Sequence, residues 1–394
     1  MYRFMCVRKI AFLHMVYPMG GAEMVTRHVA GYLCDNGFDV WVLATRINHD
    51  KMFDSSPKIR YEQMPIDDFM TKDAVDCIAQ TANRLGIDLL VVGGILIPHL
   101  TRLKQHLNGK LMYMLHGTPF WEAEYKKFNG KRLAQTSAAK WFEWHFLRKP
   151  SYVLFNRHIK KIGKIYREIY DTVDVFGTLT DTYGRQIAES LGVSVQDNKF
   201  RTFTNPCAND ALPVEQKRKQ VLYVGRLTYA DKRIDRLVRV WSMVESKMPD
   251  WEFLIVGEGE YESALREQVR SLGLKRVRFC GYTSDVRPYY RDASILMLSS
   301  TIEGWGMVLC EAQSSEVACI AFDSSAGIRE ILAPSGVNGV LVQPFDLKSY
   351  ARELEQLMAD DELRSRIARG GKQSVQRFSV ESVGAHWVKF LESI

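Results

Sequence analysis

The chain has 394 residues, with 53 Lys plus Arg against 46 Asp plus Glu, a formal net charge of +7 and 46% hydrophobic residues. That length predicts two domains, and 25% charged residues is ordinary globular composition that leaves little room for long disorder. No apolar run reaches the roughly 20 residues of a membrane span, and seven scattered cysteines without CxxC spacing give neither a disulfide framework nor a zinc site, which fits a reducing cytoplasm.

Residues 9–16 read as the first core strand. Arg8-Lys9 ahead of Ile10-Ala11-Phe12-Leu13 resembles a signal-peptide start, but His14 and Pro18 cut the run short and a Gly-Gly turn follows. Helical periodicity over 21–35 and 72–85 alternates with short apolar strands at 39–44, 88–93, 110–115 and 173–179. The pattern restarts at Gln220–Gly225, followed by a helix from about Lys232 and strands at 252–256, 276–280, 294–298, 317–322 and 338–342. Such alternation predicts an α/β fold of two doubly wound, mostly parallel Rossmann-like units in tandem. The polar stretch between Asn205 and Gln216, bracketed by Pro206 and Pro213, reads as the linker. The tail after Phe378 carries Val380, Val383, Trp387, Phe390 and Leu391 at helical spacing, so it is a helix that must dock.

Between Lys126 and Arg167 the chain has 12 basic residues interleaved with Trp141, Phe142, Trp144 and Phe146. Residues 121–167 suit an anionic lipid surface or a nucleic acid; the plain alternative is core aromatics beneath a solvated lysine face.

Ligands of open parallel sheets collect at the carboxyl ends of strands, and four such loops stand out. Tyr17–Glu23 holds Gly20 and Gly21, whose bare backbone and following helix start suit a phosphate, although the spacing is not GxGxxG. Gly225-Arg226 ends a strand and Lys232 follows six residues after Arg226; a guanidinium fork and an ammonium converging on one place suit a diphosphate. Glu303 reads as the end of a strand, and Gly304-Trp305-Gly306-Met307-Val308 leads into a helix containing Glu311. The first N–H groups of that helix, at Met307 and Val308, would face the diphosphate, Glu311 would reach ribose hydroxyls and Glu303 sugar hydroxyls. His116, after the strand ending at Leu115, is placed to meet the sugar near its reactive carbon.

Together these residues resemble the retaining GT-B glycosyltransferases of family 4. The family's E-x7-E motif matches Glu303 and Glu311, its Arg–Lys pair matches Arg226 and Lys232, and its glycine turn matches Gly20-Gly21-Ala22-Glu23. The resemblance is tightest from Val221 to Val342 and loosest between residues 45 and 200; Ala326 stands where the family more often has glycine. It implies an acceptor-binding domain over 1–207, a donor-binding domain over 208–377, and a C-terminal helix, 378–394, returning to the first domain across a cleft. It further implies a catalytic set of His116, Arg226, Lys232 and Glu303, with the base near Gly281-Tyr282. No metal or other cofactor is expected, and no DxD-type cluster is seen. The implied reaction moves a hexose from a nucleotide-diphosphate sugar, UDP-sugar before GDP-sugar, to a glycan or polyprenyl-diphosphate-linked acceptor in bacterial surface polysaccharide synthesis. The expected setting is cytoplasmic, peripheral on the membrane's inner face, with no nucleic-acid partner. Rival readings are a sugar-nucleotide epimerase of the same fold and a non-catalytic scaffold or nucleic-acid binder.

Overall fold

A computed structural model describes residues 7–18, 20–48, 56–125, 137–148, 157–197, 199–208, 210–213 and 216–394. Cys6, Met19 of the glycine turn, and Lys126, Lys127, Lys131, Arg132 and Lys149 of the basic stretch lie outside the described residues. The chain divides into two compact units: Met1–Phe120 with Ile159–Ala208 and Phe378–Ile394, and Trp121–His158 with Asn209–Arg377.

In the first unit, Ile10, Ala11, Phe12 and Leu13 are each at most 5% exposed, as expected of a strand covered on both faces. This strand, β1 (Lys9–Tyr17), is joined by β2 (Asp39–Ile47), β3 (Arg60–Gln63), β4 (Leu89–Gly93), β5 (Lys110–Leu115), β6 (Val175–Thr178) and β7 (Phe200–Thr202). They form one sheet in the order β3-β2-β1-β4-β5-β6-β7, every pair parallel. Crossover helices are bounded by local signals. Thr71 Oγ1 accepts the Ala74 N–H at 3.1 Å to open Lys72–Leu85, and Gly86, left-handed at φ 67°, ends it. Neither β3 nor β7 is among the strands expected from sequence. Both are short edge strands, one reading Arg-Tyr-Glu-Gln, and an edge position asks for little apolar patterning.

The second unit repeats the design with β8 (Arg218–Val224), β9 (Glu252–Val256), β10 (Val277–Gly281), β11 (Ala293–Leu298), β12 (Ala318–Phe322) and β13 (Val340–Val342). Its order, β10-β9-β8-β11-β12-β13, is again wholly parallel. In both sheets the order reverses at the first strand, so β1 lies between β2 and β4, and β8 between β9 and β11. Successive helices therefore leave on opposite faces at that point and open a crevice at the carboxyl ends of the two strands.

The C-terminal helix, Val380–Glu392, belongs to the first unit. Ser379 Oγ accepts the Ser382 N–H at 3.1 Å, and the buried stripe is Val383, Trp387, Phe390 and Leu391. The Trp387 ring lies 4.2 Å from that of Phe203 and 5.9 Å, edge-on, from that of Phe12 on β1. The returning helix expected from the sequence thus docks through this stripe, with Trp387 as its largest side chain. Trp387→Ala should cost about 3–5 kcal/mol, read as a fall in the urea midpoint of the first unit. An unchanged midpoint would show that the helix is held elsewhere.

Candidate functional site

At the carboxyl edge of the second sheet, the loop after β8 is laid along its neighbour by backbone hydrogen bonds. Gly225 N–H donates to Val256 O at 3.0 Å and Leu227 N–H to Glu258 O at 2.8 Å. The side chain of Arg226 is 74% exposed and reaches Asp231 at 3.1 Å, so Arg226 and Lys232 do not share a partner. Asp231, buried, also accepts the Thr228 hydroxyl. Lys232 turns inward, its Nζ 2.7 Å from Glu303 Oε2, with the two side chains 19% and 13% exposed. Ser300 Oγ supplies the same carboxylate oxygen with a second hydrogen bond at 3.0 Å.

This pair is set by the backbone on either side of it. Thr301 N–H donates to Asp231 O at 2.7 Å, and Ser299 Oγ lies 2.9 Å from the carbonyl oxygens of Lys232 and Arg233. Arg236 Nη1 reaches Thr301 Oγ1 at 3.0 Å and Ser299 O at 3.4 Å, while its guanidinium lies over the Phe345 ring. Burial, and then the nearby Arg233 charge, brings the Arg236 pKa down to about 10. Two sequence expectations are corrected here. Lys232 does not open the helix, which spans Ile234–Val244 after a left-handed Arg233. Glu303 does not end a strand: β11 stops at Leu298, and Glu303 stands in the loop beyond it.

After Glu303 the chain turns through Gly306, left-handed at φ 98°, into the helix Met307–Ser314. A β-carbon on Gly327 would fall 2.2 Å from Gly304 O, so glycine at 327 lets the next helix, Ala326–Leu332, press directly on the turn. Trp305 is buried, and the N–H groups of Met307 and Val308 occupy the first turn, where helix geometry gives no intrahelical acceptor. On the same helix Glu311 accepts the Tyr290 hydroxyl at 2.8 Å; burial raises its pKa above the ordinary carboxyl value, against the lowering effect of that bond. Gly281, at φ 74°, ends β10, and Tyr282 beyond it is 69% exposed. An exposed guanidinium, a half-buried ammonium and a helix N-terminus thus lie in loops at the carboxyl edge of one sheet, groups of the kind that can meet an anion.

In the first unit, Gly20 and Gly21 open the helix Gly21–Asp35 after β1. Gly20 N–H donates to Glu23 Oε2 at 2.8 Å, and Glu23 Oε1 stands 3.7 Å from Nδ1 of buried His14. Burial would raise the Glu23 pKa, but the His14 contact and the backbone N–H groups outweigh it and the net shift is downward. His116 follows β5 with its ring beside Gly93; burial first, then neighbouring His14, lowers its pKa to about 4. Asp231, Ser300, Tyr290 and His14 are neighbours of the candidate residues that sequence reasoning missed. The partners of Tyr290 and His14 lie on other elements, while Asp231 and Ser300 have theirs within their own loops and read there as ordinary polar loop residues. Among the described residues no helix is long and apolar enough to cross a membrane.

Residues 208–374 match the family model Glycosyl transferases group 1. An uncharacterized glycosyltransferase of Haemophilus influenzae is 26% identical over 393 residues, spanning 97% of this chain and 99% of the relative. A Campylobacter jejuni N-acetyl-D-galactosaminyltransferase, named for a PP-undecaprenol-linked glycan, is 25% identical over 255 residues, 64% of each chain. The crystal structure of Anabaena HepE in complex with UDP and glucose superposes with a TM-score of 0.74 at 18% identity, covering 98% of this chain and all of that one. The fold is that of the GT-B enzymes, two parallel-sheet Rossmann-like domains. With the group 1 domain, it supports a GT-B glycosyltransferase.

The Lys232–Glu303 pair gives a direct test of the site's construction. In a double-mutant cycle with Lys232→Ala and Glu303→Ala, each single variant should lose about 3 kcal/mol of stability, and the double variant less than their sum. Strict additivity would mean that the two charges do not interact in solution.

Proposed function

We propose that this protein is a retaining hexosyltransferase that moves a sugar from a nucleotide-diphosphate donor to a hydroxyl of a glycan or lipid-linked acceptor in bacterial surface polysaccharide synthesis. The observation that carries this reading is the 2.7 Å Lys232–Glu303 pair beside the Met307–Ser314 helix start, inside the residues that match the group 1 model. Lys232, Arg226 and the amides of Met307 and Val308 hold the diphosphate, Glu303 the transferred sugar and Glu311 the ribose. The Gly20–Gly21 turn and His116 are assigned to the donor as well. Gly281-Tyr282 receives the base through backbone contacts, and UDP is favoured over GDP, as the UDP complex of HepE supports. The lipid-linked acceptor is supported by the name of the Campylobacter relative.

In this reading the bond from the anomeric carbon to the phosphate oxygen breaks and the acceptor oxygen bonds to that carbon from the same face. The acceptor proton passes to the departing phosphate, so the products are a glycoside and a nucleoside diphosphate, and no protein nucleophile takes part. The charge that grows on the leaving group is met by Lys232 and Arg226, with no metal assigned to it. Lys232→Ala and Arg226→Ala should each slow turnover by about 2–4 kcal/mol in barrier, measured as kcat/KM with a UDP-hexose. Unchanged kcat/KM in both would remove the diphosphate assignment. Isomerised donor formed without acceptor would favour the epimerase reading.

Peripheral membrane association belongs to the same proposal. Trp141, Phe142 and Phe146 are 49%, 56% and 58% exposed, with the two phenylalanine rings stacked at 4.6 Å, and Lys140 beside them is exposed. Exposed rings next to cations suit the headgroup layer of an anionic bilayer. The protein should sediment with phosphatidylglycerol vesicles at low salt and be released as salt rises, and a Trp141→Ala, Phe142→Ala, Phe146→Ala variant should stay in solution. Equal sedimentation of that variant would return the rings to a role within the protein.

A further inference from the structure

Resting on the reading of Glu311 as the ribose contact, we propose that Tyr290 positions that carboxylate and so sets the preference for a ribonucleotide. The Tyr290 hydroxyl holds Oε2, and Oε1 is left as a fixed acceptor for the ribose hydroxyls. Tyr290 touches no ligand in this scheme and acts only through Glu311.

Both residues belong to the second unit and lie on different helices, Tyr290 on Arg287–Asp292 and Glu311 on Met307–Ser314. Tyr290 is 1% exposed, and its hydroxyl donates to Glu311 Oε2 at 2.8 Å. Glu311 is half-buried, and no second hydrogen bond reaches its carboxylate among the described residues. One ammonium keeps the two helices in place. Lys217, just before β8, donates from Nζ to Tyr290 O at 2.8 Å and to Ser315 O at 2.6 Å. Ser315 ends the helix that carries Glu311, so the backbone on both sides of the hydroxyl–carboxylate bond is tied to the same cation.

The bond does two things for a carboxylate that is to meet a sugar. The last torsion of a Glu side chain is soft, and a ligand that has to stop it turning loses affinity. With Oε2 taken, the carboxyl plane is set before a nucleotide arrives. The second effect is on charge. Burial, the largest influence on this carboxyl, and the nearby Asp210 both favour the neutral acid, and the Tyr290 hydroxyl opposes them. An ionised carboxylate only accepts, which matches hydroxyls that donate, whereas a protonated one offers an O–H of its own. Phenylalanine at this position keeps the packed ring and removes the hydroxyl alone, so both supports are lost without opening a cavity.

Calorimetry on the full-length protein compares UDP and GDP with their 2′,3′-dideoxy forms in the wild type, Tyr290→Phe, Glu311→Ala and the double variant. The wild type should bind the ribonucleotide about a hundredfold more tightly than the dideoxy form, Tyr290→Phe about tenfold, and Glu311→Ala about equally. The dideoxy form should bind the wild type and Tyr290→Phe alike, which a merely structural role for Tyr290 does not give. In the Glu311→Ala background, Tyr290→Phe should have no further effect. Equal weakening of both forms by Tyr290→Phe, or a preference that it leaves untouched while Glu311→Ala abolishes it, overturns the proposal and leaves the ribose contact standing. Wild-type binding without preference, or no binding of either nucleotide, removes the ribose reading itself and the proposal with it. If Tyr290→Phe fails to fold, a crystal structure of the wild type with the nucleotide decides. Oε2 should stay on Tyr290 while Oε1 meets a ribose hydroxyl, and a carboxylate turned away from Tyr290 overturns the proposal.

Discussion

An ammonium and a carboxylate largely withdrawn from water are stable only if their geometry is held from outside, because the desolvation of each charge rivals their attraction. Lys232 and Glu303 meet that condition. Their loops are tied by a backbone hydrogen bond from Thr301 to Asp231, by the Ser299 hydroxyl under the carbonyls of Lys232 and Arg233, and by Arg236 across to Thr301. The pair, once fixed, presents one cation and one hydrogen-bonding carboxylate at a sheet edge without needing to reorganise, which is the property an anion-handling site requires.

The sheet order is what brings those two loops within reach. β8 and β11 are sequence-distant yet adjacent, since the strand order turns back at β8, and parallel pairing puts both carboxyl ends on one edge. The turn through Gly306 then aims a helix start at the same edge, and Gly327 lets the following helix brace it. The first sheet obeys the same rule, with the Gly20 turn after β1 and Gly93 at the end of β4 flanking its own reversal point. The C-terminal helix completes that unit by laying Trp387 against Phe12 and Phe203.

Much of this was legible residue by residue. Buried parallel strands such as Leu89–Gly93 and Ala318–Phe322 are unbroken apolar runs, and the stripe from Val380 to Leu391 marks a docking helix. Strands β3 and β7 escaped because edge strands are short and need no apolar signature. In the site, Glu303, Gly306 and Glu311 stood out through their spacing. The partner of Arg226 did not, because Asp231 reads like any loop aspartate until its burial is seen. His14, in the middle of an apolar strand, looked like a break in a signal-like run, whereas it faces Glu23 and Thr26.

The sequence by itself determined the strand and helix alternation, the two-unit plan, and the residue types able to meet a diphosphate, since these follow from local periodicity and from the chemistry of single side chains. Tertiary structure alone decided which charges pair, placing Lys232 with Glu303 and leaving Arg226 to Asp231 and solvent. It also decided which polar atoms are buried without partners. Pairing and burial are properties of chain segments that are 71 residues apart in the case of Lys232 and Glu303, brought together by strand order, and no local pattern encodes that distance.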